Sequence, residues 1–133
     1  VHQQDPCGLM VFDEKVITSL PARSRRSQIP QVLSVLSKIK PSGKTDVAHA
    51  LVQVAAMLRH RSLVMIFSDL LADPGPIREA LMRLRHGGHD VILFHILDEA
   101  EVRFPFEGMV ELDDPETASK LVIDADAART GYV

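Results

Sequence analysis

Two short, uniformly apolar runs constrain the fold of this chain more than any other feature. They read LVMIFS at residues 63–68 and VILFHIL at residues 91–97. A strand that is apolar on both faces is typical of a parallel sheet covered by helices on both sides. The segment from Pro76 to about His86 separates the two runs and carries apolar residues at helical spacing: Ile77, Ala80, Leu81 and Leu84. The order strand, helix, strand predicts a right-handed crossover between parallel strands.

The segment before residue 63 predicts a hairpin and two helices. Residues 8–20 form two short apolar stretches around a charged turn, which indicates two antiparallel strands. A helix is predicted to open between Ser24 and Pro30 and to end at the Pro-Ser-Gly of residues 41–43. A second helix is predicted to begin at Thr45-Asp46 and to carry apolar residues at helical spacing: Val47, Ala50, Leu51, Val54, Ala55 and Leu58.

The C-terminal segment does not continue the alternation of helix and parallel strand. Residues 109–124 read as another hairpin around Asp114-Pro115, and a short closing helix could follow. The alternation of strands and helices in residues 1–133 predicts a single α/β domain. Its sheet is expected to be doubly wound and mostly parallel, with an antiparallel hairpin at one edge.

Composition excludes several classes of protein. The 133 residues are 46% hydrophobic, enough for a substantial core, and the net charge is −3. That charge argues against general binding to nucleic acid or to an anionic membrane. Cys7 is the only cysteine, so a reducing cytoplasm is the simplest setting. No apolar run approaches the roughly 20 residues that a membrane-spanning helix needs. The start, VHQQDPCG, is predicted to be a cut inside a longer protein.

The sequence Gly43-Lys44-Thr45 resembles the end of a phosphate-binding P-loop. A P-loop also requires a glycine five residues before its last glycine, where the backbone turns around the phosphates, and a strand leading into it. That position is Lys38, and the preceding residues have helical spacing. A nucleotide hydrolase of the P-loop class is therefore excluded.

A candidate site follows from the predicted sheet. Ligands of open α/β sheets bind beyond the carboxyl ends of the strands, and Asp69 directly follows the first apolar run. The pair Thr45-Asp46 opens a helix that could lie nearby, and a hydroxyl and a carboxylate together suit Mg²⁺. The alternative is that Thr45 or Asp46 only caps its helix and Asp69 only caps a turn. Candidate supporting groups are Ser68, Asp73 and Asp98.

Several segments together resemble a known family. They read GLMVFDEKV, SGKTDVAHAL, LVMIFSDLLAD, GHDVILFHILDEAE and FPFEGMVELDDPETA. In this order and spacing they resemble the bacterial family called domain of unknown function 58, whose members have a von Willebrand factor A-like fold. The resemblance covers nearly the whole chain.

The resemblance implies a metal-ion-dependent adhesion site. Such a site is built from an Asp-x-Ser-x-Ser loop after the first strand, a threonine and a later aspartate. Thr45 matches that threonine and Asp69 matches that aspartate. No aspartate here is followed by serine at both the second and fourth positions. The central first strand of the fold is therefore expected to lie upstream of Val1.

A missing central strand would expose two hydrophobic strand edges, which tend to pair with other chains. We expect either direct pairing of residues 8–12 with 63–68, or a homodimer through these edges. The resemblance also implies a non-enzymatic protein-interaction module that binds Mg²⁺ or Mn²⁺ in the intact domain, with none bound by residues 1–133 alone. A MoxR-type AAA ATPase is the implied partner. The alternative is a Rossmann-like hydrolase or phosphotransferase that uses Asp69, with Asp73 as its nearest second carboxylate.

Overall fold

The computed structural model describes residues 5–40, 44–113 and 119–129. The strands are β1 (Cys7–Phe12), β2 (Val16–Arg23), β3 (Leu63–Ser68), β4 (Asp90–His95), β5 (Met109–Asp113) and β6 (Lys120–Asp124). The helices are α1 (Gln28–Leu36), α2 (Val47–Met57), α3 (Pro74–His86), α4 (Glu99–Arg103) and α5 (Ala125–Arg129). A mixed α/β fold is confirmed, while α4 was not predicted. Helix α1 ends at Leu36 and not at residues 41–43 as predicted. Residues 41–43 and the predicted turn at Asp114-Pro115 lie outside the described residues.

The described strands form three two-stranded sheets. Strands β1 and β2 are antiparallel, as are β5 and β6, so both predicted hairpins are confirmed. Strands β3 and β4 are parallel, with Leu63 opposite Asp90 and Ser68 opposite His95. The predicted parallel pair is therefore confirmed as well.

The expected direct pairing of residues 8–12 with 63–68 is wrong. In the described part of the chain β1 forms its ladder with β2 and β3 forms its ladder with β4. The β1–β2 hairpin and the β3–β4 pair contact each other through side chains instead. Met10 and Phe12 of β1 pack against the core cluster that contains Ile66 of β3. Burial of these side chains does not require a ladder between the strands.

The core lies between α2, α3 and one face of the β3–β4 pair. Its buried members come from all three elements: Val47, Leu51, Val54, Ile66, Ile77, Ala80 and Leu84. The helical spacing that predicted α2 and α3 therefore also identified their buried faces.

Local signals set the ends of α3. Asp73 accepts a hydrogen bond from the Gly75 backbone N–H at 2.9 Å, so the helix begins at Pro74, two residues before the predicted start. At the other end the Gly88 N–H donates to Arg85 O and the His89 N–H donates to Leu84 O. This pairing, with Gly88 at a φ of +81°, is a Schellman motif that stops the helix as predicted. Strand β4 ends at His95, before the predicted residue 97.

One face of the β3–β4 pair is open. We call it the open face, and it consists of Leu63, Met65, Phe67, Ile92 and Phe94, all exposed. Phe67 and Phe94 stack on each other with ring centroids 4.5 Å apart, yet they remain 61% and 40% exposed. Helices on both faces were expected for these strands, but the described helices α2 and α3 cover only the face that carries Ile66.

The first hairpin, formed by β1 and β2, has one position that admits only glycine. A Cβ on Gly8 would lie 2.8 Å from Leu20 O and 2.9 Å from the backbone N of Ala22. The ladder is irregular here, because Pro21 and Ala22 of β2 lie opposite Gly8 alone, so β2 carries a bulge at this point. The missing side chain lets the two backbones approach here.

No helix among the described residues is long and apolar enough to cross a membrane.

Candidate functional site

The loop after β3 carries the predicted aspartate. Asp69 Oδ1 accepts a hydrogen bond from the Leu71 backbone N–H at 3.2 Å, and Ser68 Oγ accepts one from the Leu70 N–H at 3.1 Å. Leu70, which lies between Asp69 and Leu71, has a φ of +55°, and this is unusual for a residue with a bulky side chain. The two polar side chains thus hold a strained loop in place at the carboxyl end of the strand.

The carboxyl ends of β3 and β4 meet at one edge, as the parallel arrangement predicts. The His95 imidazole Nε2 lies 2.8 Å from Asp69 O, and the Ile96 N–H donates to Ser68 O at 2.9 Å. The His95 side chain is exposed and not part of the core. Its role in joining the two strand ends could not be read from the sequence.

Asp98, on the segment after β4, accepts a hydrogen bond from the Ala100 N–H at 2.8 Å and so caps α4. Asp73 caps α3 in the same way. These two predicted supporting carboxylates therefore both stabilise helix starts near the edge that carries Asp69.

Asp46 is the N-cap of α2, and its Oδ1 accepts from the His49 N–H at 2.9 Å. Its own N–H donates to Asp13 O at 3.1 Å, which connects the helix start to the turn of the first hairpin. The structure thus shows cap contacts for Asp46 and, at its turn, for Asp69. Thr45 precedes the cap and is exposed.

The oxygen donors of the described residues fall short of what Mg²⁺ requires. Mg²⁺ takes near-octahedral oxygen coordination and usually one or two carboxylates. In residues 5–40, 44–113 and 119–129 no three His, Cys, Asp or Glu side chains come close enough to hold a metal ion. One oxygen of Asp69 already accepts a backbone N–H. The described side chains alone therefore do not fit a Mg²⁺ site.

Fold and site together define a class: a mixed α/β protein with a polar edge at the carboxyl ends of a parallel strand pair. The chain belongs to the family described as Protein of unknown function DUF58, whose match covers residues 1–133. The predicted family membership is confirmed.

Relatives of the chain occur in mycobacteria. Uncharacterized proteins of Mycobacterium bovis and of two strains of Mycobacterium tuberculosis are each 29% identical to it over 114 residues. The aligned part covers 83% of this chain and 35% of each relative. The chain therefore spans about a third of the length of these curated relatives. No solved structure matches it.

Proposed function

We propose that this chain is a protein-interaction module with a doubly wound, von Willebrand factor A-like architecture, and that it is not an enzyme. The observation that carries the proposal is the open face of the β3–β4 pair. Parallel strands normally have both faces covered, and contiguous exposed apolar patches mark interaction surfaces. Here the exposed side chains include two stacked aromatic rings, the residue class that contributes most to interfaces.

The proposed occupant of the open face is a partner protein. The family resemblance points to a MoxR-type AAA ATPase as the first partner to test. A second copy of the chain is the competing occupant. The two are distinguishable, because self-association is measurable in the absence of any other protein.

The metal part of the proposal is limited to a partial site. Asp69 lies at the polar edge with its second carboxylate oxygen available, and Thr45 precedes the α2 cap. Further ligands would have to come from outside the described residues. The hydrolase alternative has less support, because Asp73, its nearest second carboxylate, is engaged as the cap of α3.

The interface is tested with Met65→Ser and Phe67→Ser, which remove apolar surface from the open face. We expect each to weaken binding to a MoxR-type ATPase of the same organism at least tenfold in biolayer interferometry, as central apolar anchors commonly do. Leu33→Ser is the matched control, because Leu33 is equally exposed on α1. Circular dichroism verifies that the variants are folded.

Light scattering of the chain alone completes this test. A dimer that Phe67→Ser converts to a monomer would show that a second copy occupies the open face. ATPase binding that survives both open-face substitutions, or that Leu33→Ser weakens equally, would contradict the proposal.

The metal part is tested by calorimetric titration. We expect Mg²⁺ and Mn²⁺ to bind residues 1–133 more weakly than about 10⁻³ M, since two oxygen donors leave most of the coordination sphere to water. A longer version of the protein that contains an Asp-x-Ser-x-Ser loop should bind more tightly and lose this binding on Asp69→Ala. Asp90→Ala, at the opposite end of β4, is the control. Absence of binding in both versions would refute the metal part and leave the open face untouched.

A further inference from the structure

A groove of about 500 Å³ lies between α3 and β4. It is lined by Arg78, Leu81, Met82, Arg85, Val91 and Leu93, and we call it the α3–β4 groove. Val91 and Leu93 lie opposite Val64 and Ile66 in the parallel ladder, so they belong to the helix-covered face. The groove is therefore on the other side of the strand pair from the open face.

The α3–β4 groove lies where a third helix would pack beside α2 and α3. Helices α2 and α3 pack side by side on the face that carries Ile66, and the groove lies beside α3 over β4. Among the described strands β4 pairs only with β3. Neighbouring helices pack with their axes about 8–10 Å apart, so a groove with a helix for one wall and a sheet for its floor suits another helix.

Two arginines give the groove its charge. Arg78 and Arg85 are two helical turns apart on α3, or about 10.5 Å along the axis. Both are exposed, and the ion pairs found in the described part of the chain involve neither of them. A guanidinium group pairs well with a carboxylate because its planar donors match the two oxygens. Between the arginines Met82 remains 53% exposed, which leaves apolar surface to be covered.

We propose that the α3–β4 groove binds an amphipathic α-helix of a partner protein, with an apolar stripe bordered by carboxylates two turns apart. The apolar stripe would cover Met82 and Leu93, and the carboxylates would pair with Arg78 and Arg85. The occupant is not a helix of a second copy. In the described helices of eight or more residues, α1 and α2 contain no acidic residue and α3 contains only Glu79.

This inference does not depend on the proposed function. The α3–β4 groove and the open face lie on opposite sides of the strand pair and share no residue. Substitutions in one surface therefore leave the other intact, and either proposal can fail alone.

The probe is a synthetic helical peptide with a leucine stripe and two glutamates seven positions apart beside it. Fluorescence anisotropy measures its binding to the chain and to the double variant Arg78→Glu/Arg85→Glu. We expect the variant to bind at least tenfold more weakly, and to bind a matched peptide with lysines in place of the glutamates. This rescue also shows that the variant is folded. Met82→Ser should weaken binding severalfold through loss of apolar contact.

The control is Arg83→Glu, on the same helix but outside the α3–β4 groove. Equal weakening by Arg83→Glu would show general attraction to a basic helix and would overturn the proposal. Failure of the lysine peptide to rescue the double variant would do the same. Equal competition by polyglutamate or by a short DNA duplex would show a site for anions of any kind, which also contradicts a helix-specific groove.

Discussion

Replacing Leu84 with alanine is expected to lower the free energy of unfolding by about 2–5 kcal/mol. Leu84 is 0% exposed and lies in the cluster that joins α3, α2 and β3. The substitution removes buried methyl groups and leaves a cavity that α2 and α3 can only partly close. Met10 and Phe12 of the first hairpin pack against the same cluster, so we also expect a weaker contact between the β1–β2 and β3–β4 sheets.

The measurement is urea unfolding followed by circular dichroism, with Leu71→Ala as the matched control. Leu71 is 80% exposed in the loop before α3, so the same chemical change should alter stability by less than about 0.5 kcal/mol. Equal destabilisation by both substitutions would contradict the placement of the core.

Gln28→Ala is expected to lower the free energy of unfolding by about 2–4 kcal/mol, because it removes the side-chain donor of two carbonyl groups. Gln28 is the first residue of α1 and is 2% exposed. Its Nε2 donates to Cys7 O at 2.8 Å and to Pro21 O at 3.0 Å, one on each strand of the first hairpin. The amide thus bridges the strands at the β2 bulge opposite Gly8, where the ladder is irregular.

Two further substitutions make this prediction specific. Gln31→Ala, on the exposed side of the same helix, should leave stability within about 0.5 kcal/mol of the original. Gln28→Glu should cost more than Gln28→Ala at neutral pH, since an ionised carboxylate would face two carbonyl oxygens with no proton to donate. Thermal unfolding at matched pH distinguishes these cases. If the alanine variants at both positions were equally stable, Gln28 would not be holding the hairpin.

Sequence patterns predicted the elements well because their causes are local. The apolar runs, the helical spacing of α2 and α3 and the cap at Asp46 all act within a few residues. The burial of Gln28 could not be predicted in this way. It sits on a helix with exposed apolar residues at Ile29 and Leu33, and its partners are strand carbonyls distant in sequence.

The candidate site was also predictable from the sequence only in part. The sequence placed Asp69 beyond a strand end and offered metal binding or turn capping, and only the structure showed its Oδ1 accepting the Leu71 N–H. The contact between His95 and Asp69 O depends on the register of β3 with β4. Register is a tertiary property, because it is set by how the two strands pack under the same helices.

The sequence by itself determined the family, the mixed α/β class and the order and type of most elements, because propensity, periodicity and capping are encoded by neighbouring residues. Tertiary structure decided which apolar surfaces are buried. The residues of the open face and those of the core are equally hydrophobic in LVMIFS, and they alternate along the strand. Only the position of α2 and α3 on one side determines that Ile66 is buried while Met65 and Phe67 stay exposed.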